Sequence, residues 1–269
     1  RKNIMLVWKN PERVAQLKQL LEQRILILDG AMGTMIQRHN LQESDYRGER
    51  FKHGFDAIVK ADHTHHDGCG CAQDLRGNND LLTLTQPQII ADIHTQYLEA
   101  GADLIETNTF NSTQSSQSDY RLEHIAAELN FAAAQLAREC CDAIEIKIPN
   151  KPRVVVGVLG PTSRTASISP DVNNPAFRNT DFDSLKAHYM EATHALIAGG
   201  DDIIMIETIF DTLNAKAEEV AVAQFHALGV AGGARGVELQ DGVALSAGVE
   251  ISRRGGVDPG PGFVGRQHA

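Results

Sequence analysis

Cysteine is scarce, with four in 269 residues. That density excludes a disulfide-stapled scaffold and fits a reducing compartment, so the protein is expected in the cytoplasm. Long hydrophobic runs are missing. None approaches the roughly 18 residues that span a bilayer, and no secretory apolar stretch opens the chain, so no membrane partner is expected. Positive charge is short: 25 Lys and Arg stand against 35 Asp and Glu, a formal net charge of -10. This argues against a broad phosphate-backbone footprint, and no nucleic acid is expected. A small neutral or zwitterionic substrate remains open. With 42% hydrophobic and 22% charged residues, the composition is that of a folded globule and not of a disordered tail or coiled coil. At roughly 150 residues per domain the length suggests about two domains, yet barrels of about 250 residues form one. The chain begins at Arg1, which reads as a fragment.

What is present is a rhythm of apolar runs and amphipathic stretches. Pro11 to Arg24 puts Val14, Leu17, Leu20 and Leu21 at helical spacing. Ile25-Leu26-Ile27-Leu28 then reads as a buried strand, stopped by Asp29-Gly30-Ala31-Met32-Gly33-Thr34. Ala102 to Asn108, Arg153 to Leu159 and Asp202 to Glu207 look the same. Thr85-Gln86-Pro87-Gln88 predicts a capping box with proline in the first turn. Ile89, Ile90, Ile93, Tyr97 and Leu98 follow on one face, and Gly101 ends that helix. Ala126 to Cys141, Phe182 to Ala198 and Thr212 to Leu228 are further helices. Strands alternating with helices predict a parallel α/β sheet. Lys52 to Gln73 breaks the rhythm, and from about Gly229 onward the chain turns rich in Gly, Val and Arg.

Two of the strand units repeat each other. Gly101 to Thr109 matches Gly200 to Thr208, with an Asp opening each strand and a polar residue five positions later. Asn108 and Glu207 are therefore expected at equivalent C-terminal strand tips, where a (βα)8 barrel builds its catalytic face. The plainer reading is that polar residues simply end strands. The glycines of Asp29 to Thr34 can bring backbone N–H groups to an anionic ligand such as a carboxylate, although a tight turn needs glycine in any case. Asp29 could accept from an ammonium. A carboxylate at Glu207 in a barrel mouth needs a cation, either a ligand ammonium or a Lys or Arg of the protein. Leu159-Gly160-Pro161-Thr162 reads as a turn. His63, His65, Cys69 and Cys71 have metal-ligand types but no known finger spacing, so the run reads as a weak metal candidate or as a solvated insertion. Cys140 and Cys141 point apart on one helix and read as structural.

Several longer runs carry a resemblance. They are Ile25–Thr34, Tyr46 to Phe51, Gly77 to Leu82, Ala100–Asn111, Gly157 to Thr162, Arg164–Val172 and Ile206–Lys216. Together and in this order they resemble the N-terminal homocysteine-binding barrel of the cobalamin-dependent methionine synthases, from roughly Glu12 to Gly229. Other homocysteine methyltransferases, using betaine or S-methylmethionine, share the Asp-Gly turn and the Asn-Thr-Phe segment. The Arg-Gly-Glu-Arg, Gly-Asn-Asn-Asp and Ser-Pro-Asp-Val runs favour the methionine synthases. The resemblance implies a (βα)8 TIM barrel and methyltransferase activity. It implies homocysteine at the strand C-termini with its thiolate on zinc, and a methyl group delivered by methylcobalamin that methyltetrahydrofolate recharges. The folate and cobalamin domains would be partners outside this chain. A free thiol with pKa near 8.5 is only a few per cent ionised at pH 7, a penalty of roughly 2 kcal/mol that zinc would remove. Aiming the sulfur is worth more, on the order of 7 kcal/mol. Within this resemblance Asp29, Gly30, Ala31, Met32, Gly33 and Glu207 would grip the amino-acid end, and Asn108 would orient the sulfur side.

The departures are as informative. The family's zinc cysteines lie in a Gly-(Ile/Leu)-Asn-Cys and a Gly-Gly-Cys-Cys segment, and neither occurs here. No zinc ligand is carried over. About four of eight βα units are expected, in a partial barrel over 1–228 with an insertion at 52–73. An aberrant Gly-rich tail is expected over 229–269. A half-barrel of this kind would expose sheet edges and one apolar face, and the chain alone is expected to be poorly soluble and inactive in methyl transfer. The other readings are a betaine- or S-methylmethionine-dependent enzyme and a non-catalytic fragment.

Overall fold

The computed structural model describes residues 11–52 and 73–229. The helices of the first half are α1 (Pro11–Gln23), α2 (Met32–Gln37), α3 (Glu43–Arg47), α4 (Leu82–Thr85) and α5 (Pro87–Ala100). Strand β1 (Leu104–Glu106), α6 (Gln114–Gln117), α7 (Ala126–Lys147) and β2 (Val154–Leu159) follow. The last described elements are α8 (Phe182–Gly199), β3 (Ile203–Ile206) and α9 (Thr212–Gly229).

The three strands form one parallel sheet in chain order. Glu106 stands opposite Val156, Val156 opposite Ile203, and Leu159 opposite Ile206. The strand expected at 25–28 is reduced to a single parallel bridge from Leu28 to Leu104. The reason is a side chain distant in sequence. The Ile27 N–H donates to the Asp103 carboxylate (2.9 Å) and not to a carbonyl, so the ladder stops after one step. Four parallel segments are thus present, and closure into a barrel is not seen among the described residues.

Alternation along the strands assigns the two faces. Leu104, Val154, Val156, Val158 and Met205 form one cluster with Leu17 of α1 and the partly buried Leu26, Leu28 and Phe110. Ile105 and Val155 face the other way, against Leu98, Ala137, Cys141 and Ile144 of α5 and α7. Leu159 packs there too, against Leu185, Tyr189 and Leu196 of α8 and Ala217 and Ala221 of α9. Each Val, Leu, Ile or Met side chain so buried contributes about 2 kcal/mol of transfer free energy. The open inner face expected of a half-barrel is therefore corrected: Val156 and Val158 are each 1% exposed, because α1 and Phe110 lie over them. Exposed apolar side chains lie elsewhere, notably Ile25 at 85%, Val172 at 94% and Phe210 at 62%.

Two helix ends show how local chemistry meets packing. Pro87 opens α5, but the expected Thr85 cap is absent. The cap position falls to Gln86, which makes no side-chain cap bond, while the Thr85 hydroxyl donates back to the Leu81 carbonyl (3.3 Å). Gly101 does end α5, at φ 112. Gly157 matters for a different reason. A Cβ there would lie 1.8 Å from Asp201 Oδ2, so only glycine leaves room for that buried carboxylate on the outer face of β2.

Candidate functional site

The two ends of the sheet differ in charge chemistry. At the strand N-termini two acids, Asp103 and Asp202, are paired with cations, while Asp201 beside Asp202 is buried without a hydrogen-bond partner. Arg24 grips Asp103 with both terminal nitrogens (2.8 and 2.7 Å), and Lys151 lies 3.3 Å away. Burial would raise the Asp103 carboxyl, but Arg24, the Ile27 N–H and Lys151 outweigh it and hold the group well below the usual range. Asp202 receives Arg138 (2.7 Å) and the Val155 N–H (2.9 Å). Burial still lifts it to about 6 against Arg138, Val155 and Arg13.

At the C-terminal tips the acids have no such partners. Asp29 follows the Leu28 bridge and accepts the Glu106 N–H through Oδ1 (2.9 Å). Burial pushes its carboxyl up to about 7, against backbone hydrogen bonds from Glu106 and its own N–H. Glu106 ends β1 on the same face as Leu104. It is pushed up to about 8 by burial and by the charges of Asp29 and Glu207. Glu207 follows β3, its N–H on the Leu159 carbonyl (3.1 Å). Burial raises it, and a hydrogen bond with Thr208 partly opposes this. Behind it in α9, Glu218 is fully buried with both carboxylate oxygens lacking a hydrogen-bond partner. Burial and then Glu207 raise that carboxyl far above its ordinary value. Among the described residues no Lys or Arg acts on any of these four acids. Chemically, this end of the sheet can receive a cation or hold protons.

The other expected residues are placed as follows. Ala31, and neither glycine of the turn, takes the left-handed conformation (φ 51) as it caps α2. A Cβ on Gly30 would meet open space, and one on Gly33 would sit 3.9 Å from Asn79 Nδ2, so neither glycine is required by crowding. Met32 packs partly buried on the cluster of Ile36, Tyr46 and Leu81. Asn108 is buried, and its amide nitrogen donates to the Asn79 carbonyl (2.9 Å) and Thr83 Oγ1 (3.3 Å). The register shows that Asn108 and Glu207 are tips of different height. Asp103 lies one step below the Leu104–Val154 pair, whereas Asp202 lies one step below the Val156–Ile203 pair, a stagger of two residues.

Hydrogen bonds join the motif segments around this end. Asp80 accepts the Asn111 N–H (2.6 Å) and the Ser112 hydroxyl (2.8 Å), and the Tyr46 hydroxyl donates to Asn79 Oδ1 (2.9 Å). Asn78 and Gln117 exchange side-chain bonds (2.8 and 3.2 Å). Asp211 accepts the Ser167 and Ile168 N–H groups (2.9 and 3.3 Å) and the Asn214 N–H (2.9 Å). The Asn214 amide nitrogen donates to Thr162 Oγ1 (2.9 Å), and its oxygen takes the Tyr189 hydroxyl (2.6 Å). Sequence reasoning missed Glu106, Asp80 and Glu218. Glu106 had a signal: alternation from Leu104 puts a carboxylate on the inner face of an apolar strand.

The described residues do not fit zinc. Among them no group of three or more His, Cys, Asp or Glu is arranged to hold a metal ion. Cys140 and Cys141 are buried in α7, away from the strand tips, and burial pushes the Cys141 thiol up to about 12. A thiol so disfavoured as an anion is a poor ligand. His63, His65, Cys69 and Cys71 lie outside the described residues. No helix among the described residues is long and apolar enough to cross a membrane.

A parallel α/β layer with polar chemistry gathered at the strand C-termini defines a class of small-molecule enzymes and binding proteins. The homocysteine S-methyltransferase family matches residues 26–253, and the chain belongs to that family. In three dimensions the chain is similar to the homocysteine methyltransferase MmuM from Escherichia coli. The metallated form of that protein gives a TM-score of 0.56 at 19% identity, over 78% of this chain and 62% of that one. The oxidized form gives 0.55 at 19% identity, over 80% and 62%. The chain thus spans about 62% of the length of these solved relatives.

Proposed function

We propose that this chain is the homocysteine-binding part of a cobalamin-dependent methionine synthase, taking the amino-acid end of homocysteine at the strand tips. One observation carries the reading: Asp103 and Asp202 at the N-terminal ends of β1 and β3 are matched by arginine and lysine, and Asp29, Glu106 and Glu207 at the C-terminal tips have no such cation. An amino-acid ammonium supplies the missing cation, received by Asp29 and Glu207. The backbone of Gly30, Ala31, Met32 and Gly33 lies next to Asp29 and faces the ligand carboxylate. The Asn108 amide nitrogen is committed to the 79–83 turn, so its part is to hold that turn beside the site and the sulfur.

The Arg47 to Arg50, Gly77 to Asp80 and Ser169 to Val172 runs support the methionine synthase assignment over a betaine- or S-methylmethionine-dependent enzyme. In that assignment the methyl group comes from methylcobalamin on other domains. The division into a partial barrel over 1–228 and a separate segment over 229–269 belongs to the same proposal. The described residues offer zinc no site. Calorimetry on the full chain tests the reading. L-homocysteine and L-methionine are expected to bind, and 4-mercaptobutyrate, which lacks the ammonium, is expected to lose at least tenfold in affinity. Equal binding of the deaminated thiol would remove the ammonium from the account.

A further inference from the structure

We propose that Glu106 carries a proton in the empty site and releases it when an α-amino acid docks its ammonium beside Asp29 and Glu207, so that ligand binding is linked to proton release. This rests on the amino-acid reading above and adds a residue and a coupling to it. Glu106 is the last residue of β1, it shares the inner face with Leu104, and its backbone N–H is held by Asp29. The neighbouring strand contributes only Val154, Val156 and Val158 to that face, and α1 contributes Leu17. The charged groups that face Glu106 are thus Asp29 from the segment before α2 and Glu207 from the loop after β3, both acids.

A second observation is independent of Glu106. Glu218 is fully buried, both its oxygens lack a hydrogen-bond partner, and Glu207 opposes its ionisation. Glu218 thus adds a fourth acid to this end of the fold, and its burial next to the charge of Glu207 favours its protonated form. Four acids without a cation cannot all ionise, so some hold protons. Asp29 and Glu106 are pushed up to about 7 and about 8, which leaves Glu106 mostly protonated at neutral pH. When an ammonium arrives, the ionised form of the nearest acids is favoured. The Glu106 O–H bond breaks, its proton leaves to solvent, and the new carboxylate pairs with the ammonium.

The experiment is calorimetry of L-methionine binding to the full chain, in phosphate and in Tris buffer, between pH 6 and pH 8. Methionine has no thiol proton, so any proton released comes from the protein. Up to about one proton per ligand is expected, and affinity is expected to rise by up to about tenfold per pH unit. In Glu106→Gln the affinity is expected to lose that rise. Binding with no proton release in the wild type, or the same release in Glu106→Gln, overturns the proposal while leaving amino-acid binding intact. If neither methionine nor homocysteine binds, the amino-acid reading fails instead, and a ligand-free measurement still decides the state of Glu106. The folded pKa lies above the unfolded 4.5, so the wild type should lose stability as pH rises from about 5 to about 9. Glu106→Gln should lose less over that range; identical pH profiles would show that Glu106 is not the proton carrier.

Discussion

At the residue scale, the least comfortable group in the molecule is Asp201. It is fully buried, neither carboxylate oxygen has a hydrogen-bond partner, and it occupies the space a side chain at position 157 would need. Burial, then the charge of Asp202, raises its pKa well above 3.8. An acid raised in the folded state supports folding fully below its unfolded pKa, and that support is lost as pH rises toward the folded value. Asp201→Asn removes the ionisable group. It should stabilise the chain by about 1 kcal/mol at pH 7 and leave stability near pH 3 unchanged, as thermal melts at the two pH values would show. Gly157→Ala should cost about 3 kcal/mol, because the new methyl overlaps Asp201 and the Ile204 side chain. Adding Asp201→Ala to Gly157→Ala should recover part of that loss. A strictly additive double variant would show that the two positions do not share the space.

At the element scale, the sheet is fastened at both ends by polar ties to its helices and loops. Arg24, just past α1, holds Asp103 at the foot of β1. Arg24→Ala leaves the buried Asp103 carboxylate to Lys151 and the Ile27 N–H, and should cost about 1 kcal/mol in denaturant melts at pH 7. Because Asp103 is held below its ordinary pKa, this contribution is present above about pH 4 and fades as pH falls and the carboxylate takes up a proton. The variant and the wild type should therefore converge in acid. At the other end, Asp211 accepts three backbone N–H groups and joins the start of α9 to the loop at 167–168. Asp211→Ala should speed hydrogen exchange at Ser167 and Ile168 more than at the strand amides, since it releases that loop before it weakens the sheet. Much of this scale was legible in the sequence. Apolar runs and helical spacing located β1, β2, β3, α8 and α9 to within a few residues, because burial on a face imposes a period, and found the start of α7 but not its last six residues. The strand at 25–28 was not legible as a bridge. Its fate depends on the Asp103 carboxylate, a side chain distant in sequence, intercepting the Ile27 N–H.

At the scale of the whole molecule, charge and apolar surface are distributed unevenly. The ion pairs of Asp103 and Asp202 lie at one end of the sheet and the cation-free Asp29, Glu106 and Glu207 at the other, while Ile168, Val172, Phe177 and Phe210 stand exposed in the loops that follow β2 and β3. Large apolar side chains exposed in this number favour association. Sedimentation of the full chain should show concentration-dependent self-association that Val172→Ser with Phe210→Ser reduces; an unchanged distribution would place the contact elsewhere. The sequence by itself determined the parallel α/β class, the family motifs and the identity of Asp29 and Glu207 as acids at strand ends, because hydrophobic period and turn chemistry are local properties of the chain. Only the tertiary structure decided which acids lack a cation, that Glu106 stands between two others, and that Asn108 is committed to a neighbouring turn. Those are properties of distance and burial between segments far apart in the chain, and no local pattern encodes how the strands stagger.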